Sequence, residues 1–174
     1  MSAASDIKLL CEAILHFDKD GMRKFNLASA DLYKMWTNSF IQGIKQNMPL
    51  YIQNAFSEEH AAKIGDAIIS ALKKVSVDTK NLSEEKVEVT VTGLNVGSIF
   101  AEENWQPDVN SDAGKDEIVN SLVRAVEKNF DALQPVNTTV FVVDCGYSEE
   151  GKFWAPLSMD NFMPQLFAGT LGNK

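Results

Sequence analysis

The side chains best suited to binding a ligand are four aromatic residues in the C-terminal half of the chain. Trp105 and Phe100 stand in a long segment between predicted elements, whereas Tyr147 and Trp154 stand near the last predicted strand. Aromatic residues offer large apolar surfaces, and apolar pockets of this kind bind small molecules or peptides. We therefore predict a ligand-binding pocket in which Trp105 or Phe100 lies beside Trp154. The alternative is that Trp154 belongs to the core and Trp105 covers its open end.

The stretch "LHFDKDGMRKF" contains the residue types of a calcium loop, because Asp18 and Asp20 precede Gly21. An EF-hand loop places glycine at its sixth position and a bidentate glutamate at its twelfth. With Gly21 sixth, His16 would be first and Leu27 twelfth, and neither suits calcium. The stretch instead predicts a helix end with Gly21 as its C-terminal cap. We expect no metal and no cofactor.

Few residues have the context of a catalytic group. His16 and His60 are the two histidines, and both are expected at solvated positions on helices. No G-x-S-x-G motif is present, and Asp144 followed by Cys145 at a strand end is the most reaction-like pair. Cys11 and Cys145 are far apart in sequence, which favours two buried thiols, although an exported form could join them in a disulfide. We assign no catalytic residue.

Composition and charge restrict the partners. Hydrophobic residues make up 45% of the 174, which is enough for a sizeable core. A net charge of −8 and a pI near 4.7 argue against binding to nucleic acid, which requires clustered cations. No apolar run reaches the ~20 residues of a membrane span. The expected partners are a protein or a small apolar ligand.

Apolar spacing predicts helices in the first part of the chain and strands in the second. Three helices, capped or started near Ser5, Ser29 and Ser57, show apolar residues at helical spacing, and Pro49 should end the second. "KVEVTVT" at 86–92 then alternates strictly between apolar and polar residues, as a half-buried strand does.

The remaining elements complete a curved antiparallel sheet of three to four strands. A helix is predicted from Asp112 to Leu133, a buried strand at 138–145 and a hairpin with a further strand at 147–157. A closing helix at about 161–168 contains Pro164, which is tolerated if Asn161 is the cap. The prediction is a single α+β domain over 1–174, with helices at about 5–75, a sheet with an inserted helix at about 86–157, and the closing helix.

Three segments carry a resemblance to known proteins: "AILHFDKDG", "KVEVTVTGLNV" and "GKFWAPLSMDNFMPQLFAGT". Their order resembles the cystatin-like and nuclear-transport-factor-two-like α+β domains, and bacterial proteins of unknown function that are predicted to be lipoproteins. The resemblance implies N-terminal helices packed on a curved antiparallel sheet, and it supplies no catalytic residues. The chain departs from the lipoprotein pattern because no lipobox cysteine follows an apolar leader.

The leading functional hypothesis is a non-enzymatic cell-envelope or secreted domain that binds a protein, a peptide or a small apolar ligand. Two alternatives stay open: a cavity enzyme of the same fold, such as an isomerase or hydrolase, and an intracellular assembly module that dimerises through its sheet. An envelope or extracellular location is expected if an export signal was trimmed, and a cytoplasmic one otherwise.

Overall fold

The computed structural model describes residues 2–100 and 114–172, apart from the side chain of Phe100. Helices and strands follow the predicted order, with additions that the apolar pattern did not indicate. The helices are α1 Ala3–His16, α2 Lys19–Lys24, α3 Ser29–Asn47, α4 Leu50–Gln53, α5 Glu58–Leu72, a 3-10 helix Val96–Phe100, α6 Lys115–Ala132 and α7 Met159–Leu171. The strands are β1 Ser76–Asn81, β2 Lys86–Leu94, β3 Pro135–Ser148 and β4 Phe153–Pro156.

The four strands form one antiparallel sheet in the order β1-β2-β3-β4. Strand β2 contains the alternating segment: its valines at 87, 89 and 91 are fully buried, and the residues between them are half-buried. Helices α1 and α7 pack on the sheet. The predicted α+β class, with helices on an antiparallel sheet, is confirmed.

The described residues group into two compact units. The first comprises the described parts of Met1–Leu32, Leu72–Asn95 and Gln134–Lys174, and it contains the sheet with α1, α2 and α7. The second comprises those of Tyr33–Ala71 and Val96–Leu133, and it is helical. Within the second unit, α6 packs on α4 and on the 3-10 helix, and Phe40 meets Phe130 edge to face at 6.2 Å. That residues 1–174 form a single domain stays a prediction.

Helix α1 begins and ends differently from the prediction. Ser2 is its N-cap, and its hydroxyl accepts the N–H of Ser5, so Ser5 lies in the first turn. The helix ends at Phe17, which adopts the left-handed conformation with φ 57°. The prediction of Gly21 as the C-terminal cap was therefore wrong.

Gly21 instead lies inside α2, whose N-cap Asp18 accepts the Gly21 N–H at 2.9 Å. A Cβ at position 21 would come within 2.7 Å of the Leu9 carbonyl oxygen and 2.8 Å of the Ala13 Cβ. Glycine is needed here because α2 packs closely on α1 and not because the backbone takes a positive φ. The polar residues that resemble a calcium loop start a short helix.

The N-terminal cap of α7 also differs from the predicted one. Ser158 is the N-cap and accepts the Asn161 N–H at 3.2 Å, so the helix begins before Asn161. Pro164 consequently lies in the second turn, where a helix normally uses its N–H. Because proline has none, the Asp160 carbonyl lacks its usual i+4 donor.

Candidate binding site at the free edge of β3

Two of the four predicted aromatic residues meet in the structure. Tyr147 on β3 is the direct cross-strand neighbour of Trp154 on β4, and their rings make an edge-to-face contact at 5.5 Å. Tyr147 is exposed and Trp154 half-buried, so Trp154 is at the margin of the core. Trp105 lies outside the described residues, as does the side chain of Phe100. The predicted pocket of all four aromatics stays a prediction.

A buried carboxylate holds the Trp154 backbone in place. Asp6 on α1 is 1% exposed; its Oδ2 accepts the Trp154 N–H at 2.9 Å and its Oδ1 accepts from Lys24 Nζ at 2.6 Å. The sequence carries no signal that would single out Asp6, because aspartates are mostly exposed in folded proteins. Asp6 therefore occupies the outer edge of β4 at this point.

The alternation of hydrogen bonds along β3 shows which of its backbone groups point towards β2 and which point towards the side of β4. The Cys145 N–H donates to the Glu85 carbonyl at 2.7 Å on the β2 side, and the Leu157 N–H donates to the Asp144 carbonyl at 2.8 Å on the β4 side. In an antiparallel ladder the direction alternates with each residue. Odd-numbered residues of β3 therefore bond β2, whereas even-numbered residues direct N–H and C=O to the opposite edge.

Before residue 144, the edge of β3 opposite β2 has no strand beside it among the described residues. Strand β4 pairs with residues 145–148 only, and the chain turns away after the Leu157 bond. No strand among the described residues pairs with the N–H and C=O groups of Thr138, Val140 and Val142. Val140 and Val142 are 56% and 47% exposed. Pro135 to Val143 contains no charged residue, so the stretch has none of the charged side chains that usually protect an edge strand.

A cavity of about 570 Å³ opens at the end of this free edge. It is lined by the β3 residues Val142, Val143 and Asp144, by Leu157 and Ser158, and by residues of the first two turns of α7. The cavity lies beside the bond to Asp144 from Leu157, the residue that directly follows β4. An added strand along β3 would therefore pass the cavity.

The polar side chains of the cavity include both hydrogen-bond acceptors and groups that can donate, namely those of Asp144, Ser158, Asp160, Asn161 and Gln165. Asp144 and Asp160 contribute carboxylates, and Pro164 leaves the Asp160 carbonyl without its helical donor. Gln165 donates its Nε2 to the Asn161 carbonyl at 2.9 Å, which leaves its Oε1 as an acceptor. Within the described ranges 2–100 and 114–172, no lysine or arginine lines the cavity.

A second polar cluster connects α5 with α6 and was not anticipated from the sequence. His60 Nδ1 lies 2.9 Å from the Ser57 hydroxyl, and its Nε2 lies 2.6 Å from Asn120 Oδ1. The arrangement has the members of a hydrolytic triad, but the Ser57 N–H also donates to Nδ1 at 3.0 Å. Nδ1 has one lone pair, and the bond from the Ser57 N–H uses it. Nδ1 therefore cannot act as a general base that takes the proton of the Ser57 hydroxyl. The Ser57 hydroxyl accepts the His60 N–H in return, so the pair is a capping box.

The S-x-x-H spacing at 57–60 was the available signal for that cap. Both histidines are less exposed than expected. His60 is half-buried and stacks on Phe56 at 5.8 Å, and His16 is half-buried with its Nε2 2.7 Å from the Val75 carbonyl oxygen.

Both cysteines are buried free thiols, so the first of the two interpretations of Cys11 and Cys145 describes the structure. Burial raises the pKa of Cys11 to about 12, helped by the nearby Glu12 charge. Burial and then the Asp144 charge raise the pKa of Cys145 to about 11. Thiols with such pKa values are poor nucleophiles at neutral pH, so Asp144 beside Cys145 is no activated pair.

The part of the chain that the structure describes contains no group of three or more His, Cys, Asp or Glu side chains arranged to hold a metal ion. No described helix combines the length and apolar character required to cross a membrane.

Comparison with known proteins gives one informative likeness. The fold resembles the crystal structure of a protein from Bacillus subtilis described as a "putative lipoprotein (ycdA)", with a TM-score of 0.68 and 14% sequence identity. The alignment covers 97% of this chain and 55% of that one, so this chain spans about half the length of that protein. No protein-family model matches the chain, and no curated protein matches it. The likeness supports the part of the predicted resemblance that concerns lipoproteins, at the level of fold.

Proposed function

We propose that this chain is a non-enzymatic binding domain of the cell envelope, which takes an extended segment of a protein partner onto the free edge of β3. The observation that carries the proposal is the row of backbone groups at Thr138, Val140 and Val142 that pair with no strand among the described residues. An extended peptide that pairs with an exposed sheet edge gains main-chain hydrogen bonds, and its alternate side chains contact the flanking surface.

The side chains around the edge suit such a partner. Val140 and Val142 project beside the unpaired groups, and β-branched residues in the added strand would pack against them across the pair. The uncharged stretch from Pro135 to Val143 presents no charge that pairing would bury. The likeness in fold to a protein described as a lipoprotein supports the envelope location.

The first step of the test is site-directed photo-cross-linking. A photoreactive residue is placed at position 140 of the full chain, and at position 50 as a control, because Leu50 is an exposed apolar residue on α4. We expect a protein from an envelope extract of the source cells to cross-link at position 140 and not at position 50. The captured protein is then purified for direct measurement of binding.

The second step separates strand addition from ordinary surface contact. Val140→Pro removes an edge N–H for which the described part of the chain supplies no acceptor strand, and edge strands tolerate such a proline. We expect it to weaken binding of the purified partner at least ~10-fold, whereas Val140→Thr, which keeps the N–H, stays within about twofold. Partner binding should also slow amide exchange at Thr138, Val140 and Val142. Equal binding by the two variants, or unchanged exchange, would contradict the proposal.

A further inference from the structure

Leu157, the residue that directly follows β4, is an exposed leucine beside the free edge of β3. Its exposed fraction is 72%, compared with 56% for Val140 and 47% for Val142 on β3. A single exposed leucine is ordinary on a protein surface. What Leu157 can bind therefore depends on where its side chain lies relative to the edge.

Two observations place the Leu157 side chain on the face of the sheet opposite α7. The Leu157 N–H donates to the Asp144 carbonyl, so the two residues are cross-strand neighbours whose side chains share a face. A Cβ at Gly146, two residues further along β3 and therefore on the same face, would come within 2.7 Å of Leu157 Cδ2. Helix α7 lies on the other face, where a Cβ at Gly169 would be 3.4 Å from the Cβ of Thr139.

A strand added to β3 would continue the row that β4 and Leu157 occupy. Because Leu157 is opposite Asp144, Val142 is the next residue of β3 whose N–H and C=O point to this row. The guest residue opposite Val142 would share its face, and it would lie about 7 Å from Leu157 along the row and similarly far from Val140 across it. Aromatic and long side chains bridge such a separation, whereas valine and threonine are short.

We infer that Val140, Val142 and Leu157 form an apolar subsite, which receives a large apolar side chain from the segment that pairs with β3. This inference rests on the proposed function, because strand addition brings the guest residue opposite Val142. The partner is thus a protein with an extended segment that carries an aromatic residue or a leucine at this position. A charged residue there would lose hydration against three apolar side chains.

A second copy of this chain cannot supply such a side chain in the same register. The residues of its β3 whose backbone groups point to the edge are all valine or threonine: Val136, Thr138, Val140 and Val142. Pairing between two copies would therefore leave Leu157 uncovered by a long side chain. The subsite favours a foreign segment.

The test uses three labelled, capped peptides of the form Thr-X-Thr-Val-Thr-X-Thr, in which X is phenylalanine, valine or threonine. The pattern is symmetric, so either strand direction brings one X opposite Val142. Affinity is measured by fluorescence anisotropy, and amide exchange at Thr138, Val140 and Val142 is measured with peptide in excess. We expect the phenylalanine peptide to bind about fivefold more tightly than the valine peptide, and the threonine peptide to bind least tightly.

Two matched variants locate the effect. Leu157→Ser keeps the N–H that bonds Asp144, and it should reduce the preference for phenylalanine over valine to about twofold or less. Leu50→Ser makes the same change at an exposed leucine on α4 and should leave the preference unchanged. Thermal melting of both variants checks that the fold is intact.

The outcomes separate this inference from the proposed function. Slowed edge exchange with equal affinities for the phenylalanine and valine peptides would overturn the subsite and leave strand addition in place. A preference for phenylalanine that Leu157→Ser leaves unchanged would do the same. No slowing with any peptide would contradict strand addition as well. Edge exchange that slows with protein concentration alone, together with a doubled native mass, would show that a second copy occupies the edge and would overturn the inference.

Discussion

At the residue scale, the buried carboxylate of Asp6 connects several structural elements. Its two oxygens bond a side chain of α2 and the backbone of β4, so a single carboxylate joins three elements. Lys24 keeps 21% of its side chain exposed, whereas Asp6 keeps 1%. The desolvation cost of this pair therefore falls mainly on the carboxylate, which requires both of its partners.

Lys24→Met should leave the Asp6 charge buried without its cation. We expect the free energy of unfolding to fall by about 3 kcal/mol, because breaking one side of a buried pair costs this much. Lys8→Met is the control, because Lys8 Nζ lies 3.7 Å from Asp78 Oδ1 in an exposed ion pair. This substitution should lower the free energy of unfolding by less than ~1 kcal/mol. Urea unfolding measures both, and similar losses would show that the buried pair has no special role.

The buried thiols predict a loss of stability at high pH. Below pH 9 the thiol of Cys11 is protonated in both states; between pH 9 and about 12 the unfolded chain releases this proton and the folded chain keeps it. The free energy of unfolding should therefore fall as pH rises, by up to ~1.4 kcal/mol per pH unit for this thiol. Urea unfolding at pH 8, 9 and 10 should show a smaller fall in stability for Cys11→Ala than for the original protein, because the variant lacks this thiol and shares all other titratable groups. Parallel curves would contradict this prediction.

At the element scale, close contact between backbone atoms of α7 and β2 fixes the position of α7 on the sheet. A Cβ at Gly93 of β2 would overlap the Gly169 carbonyl oxygen, and it would come within 2.6 Å of the Thr170 carbonyl oxygen. Backbone atoms cannot move aside as a side-chain end can. The last turn of α7 therefore sits directly on β2 at the point where the β2–β3 register shifts, between Gly93 and Leu94.

Gly93→Ala should be strongly destabilising, by ~3 kcal/mol or more, because it forces α7 away from the sheet. Gly43→Ala is the matched change within α3, where a Cβ would meet nothing within 4 Å. It should raise stability by about 0.5–1 kcal/mol through helix propensity. Thermal unfolding measures both, and a mild effect at Gly93 would contradict the close contact.

The elements that the sequence predicted well are those with a strong apolar period. Strand β2 and helices α3, α5 and α6 follow such patterns, and their ends differ from prediction by a few residues. Strand β1 was missed because Val77 is its one fully buried residue, so no alternation is visible. The cap of α7 was misplaced because Pro164 suggested a later start, although the helix accepts a proline in its second turn.

At the scale of the whole molecule, the net charge and the exposed edge of β3 have opposite effects on self-association. A net charge of −8 keeps copies apart at neutral pH, whereas the uncharged edge of β3 favours association. The site could not be predicted from sequence because it depends on where β4 stops. "TTVFVVDC" was recognised as a strand, but an open edge follows only from the length of its neighbour, which no local pattern fixes.

Near its pI of about 4.7 the chain should therefore associate through β3. We expect light scattering to rise as pH is lowered from 7 to 4.7, and Val140→Lys to reduce that rise severalfold because a charge then lies on the edge. Leu50→Lys makes the same change on an exposed residue of α4 and should have little effect. Equal scattering by the two variants would show that association does not use the edge.

Because β4 pairs with β3 over only four residues and then turns away, a strand that adds to β3 as proposed would pair with about five residues, from Thr138 to Val142. The opposite margin of the sheet carries the ionic side chains of Asp78 and Lys80, and a carboxylate blocks the outside of β4. Indefinite stacking into filaments requires two accessible margins on every subunit. Under the proposed strand addition we therefore expect growth to stop after one added strand, as in a receptor for a short peptide segment and unlike a filament subunit.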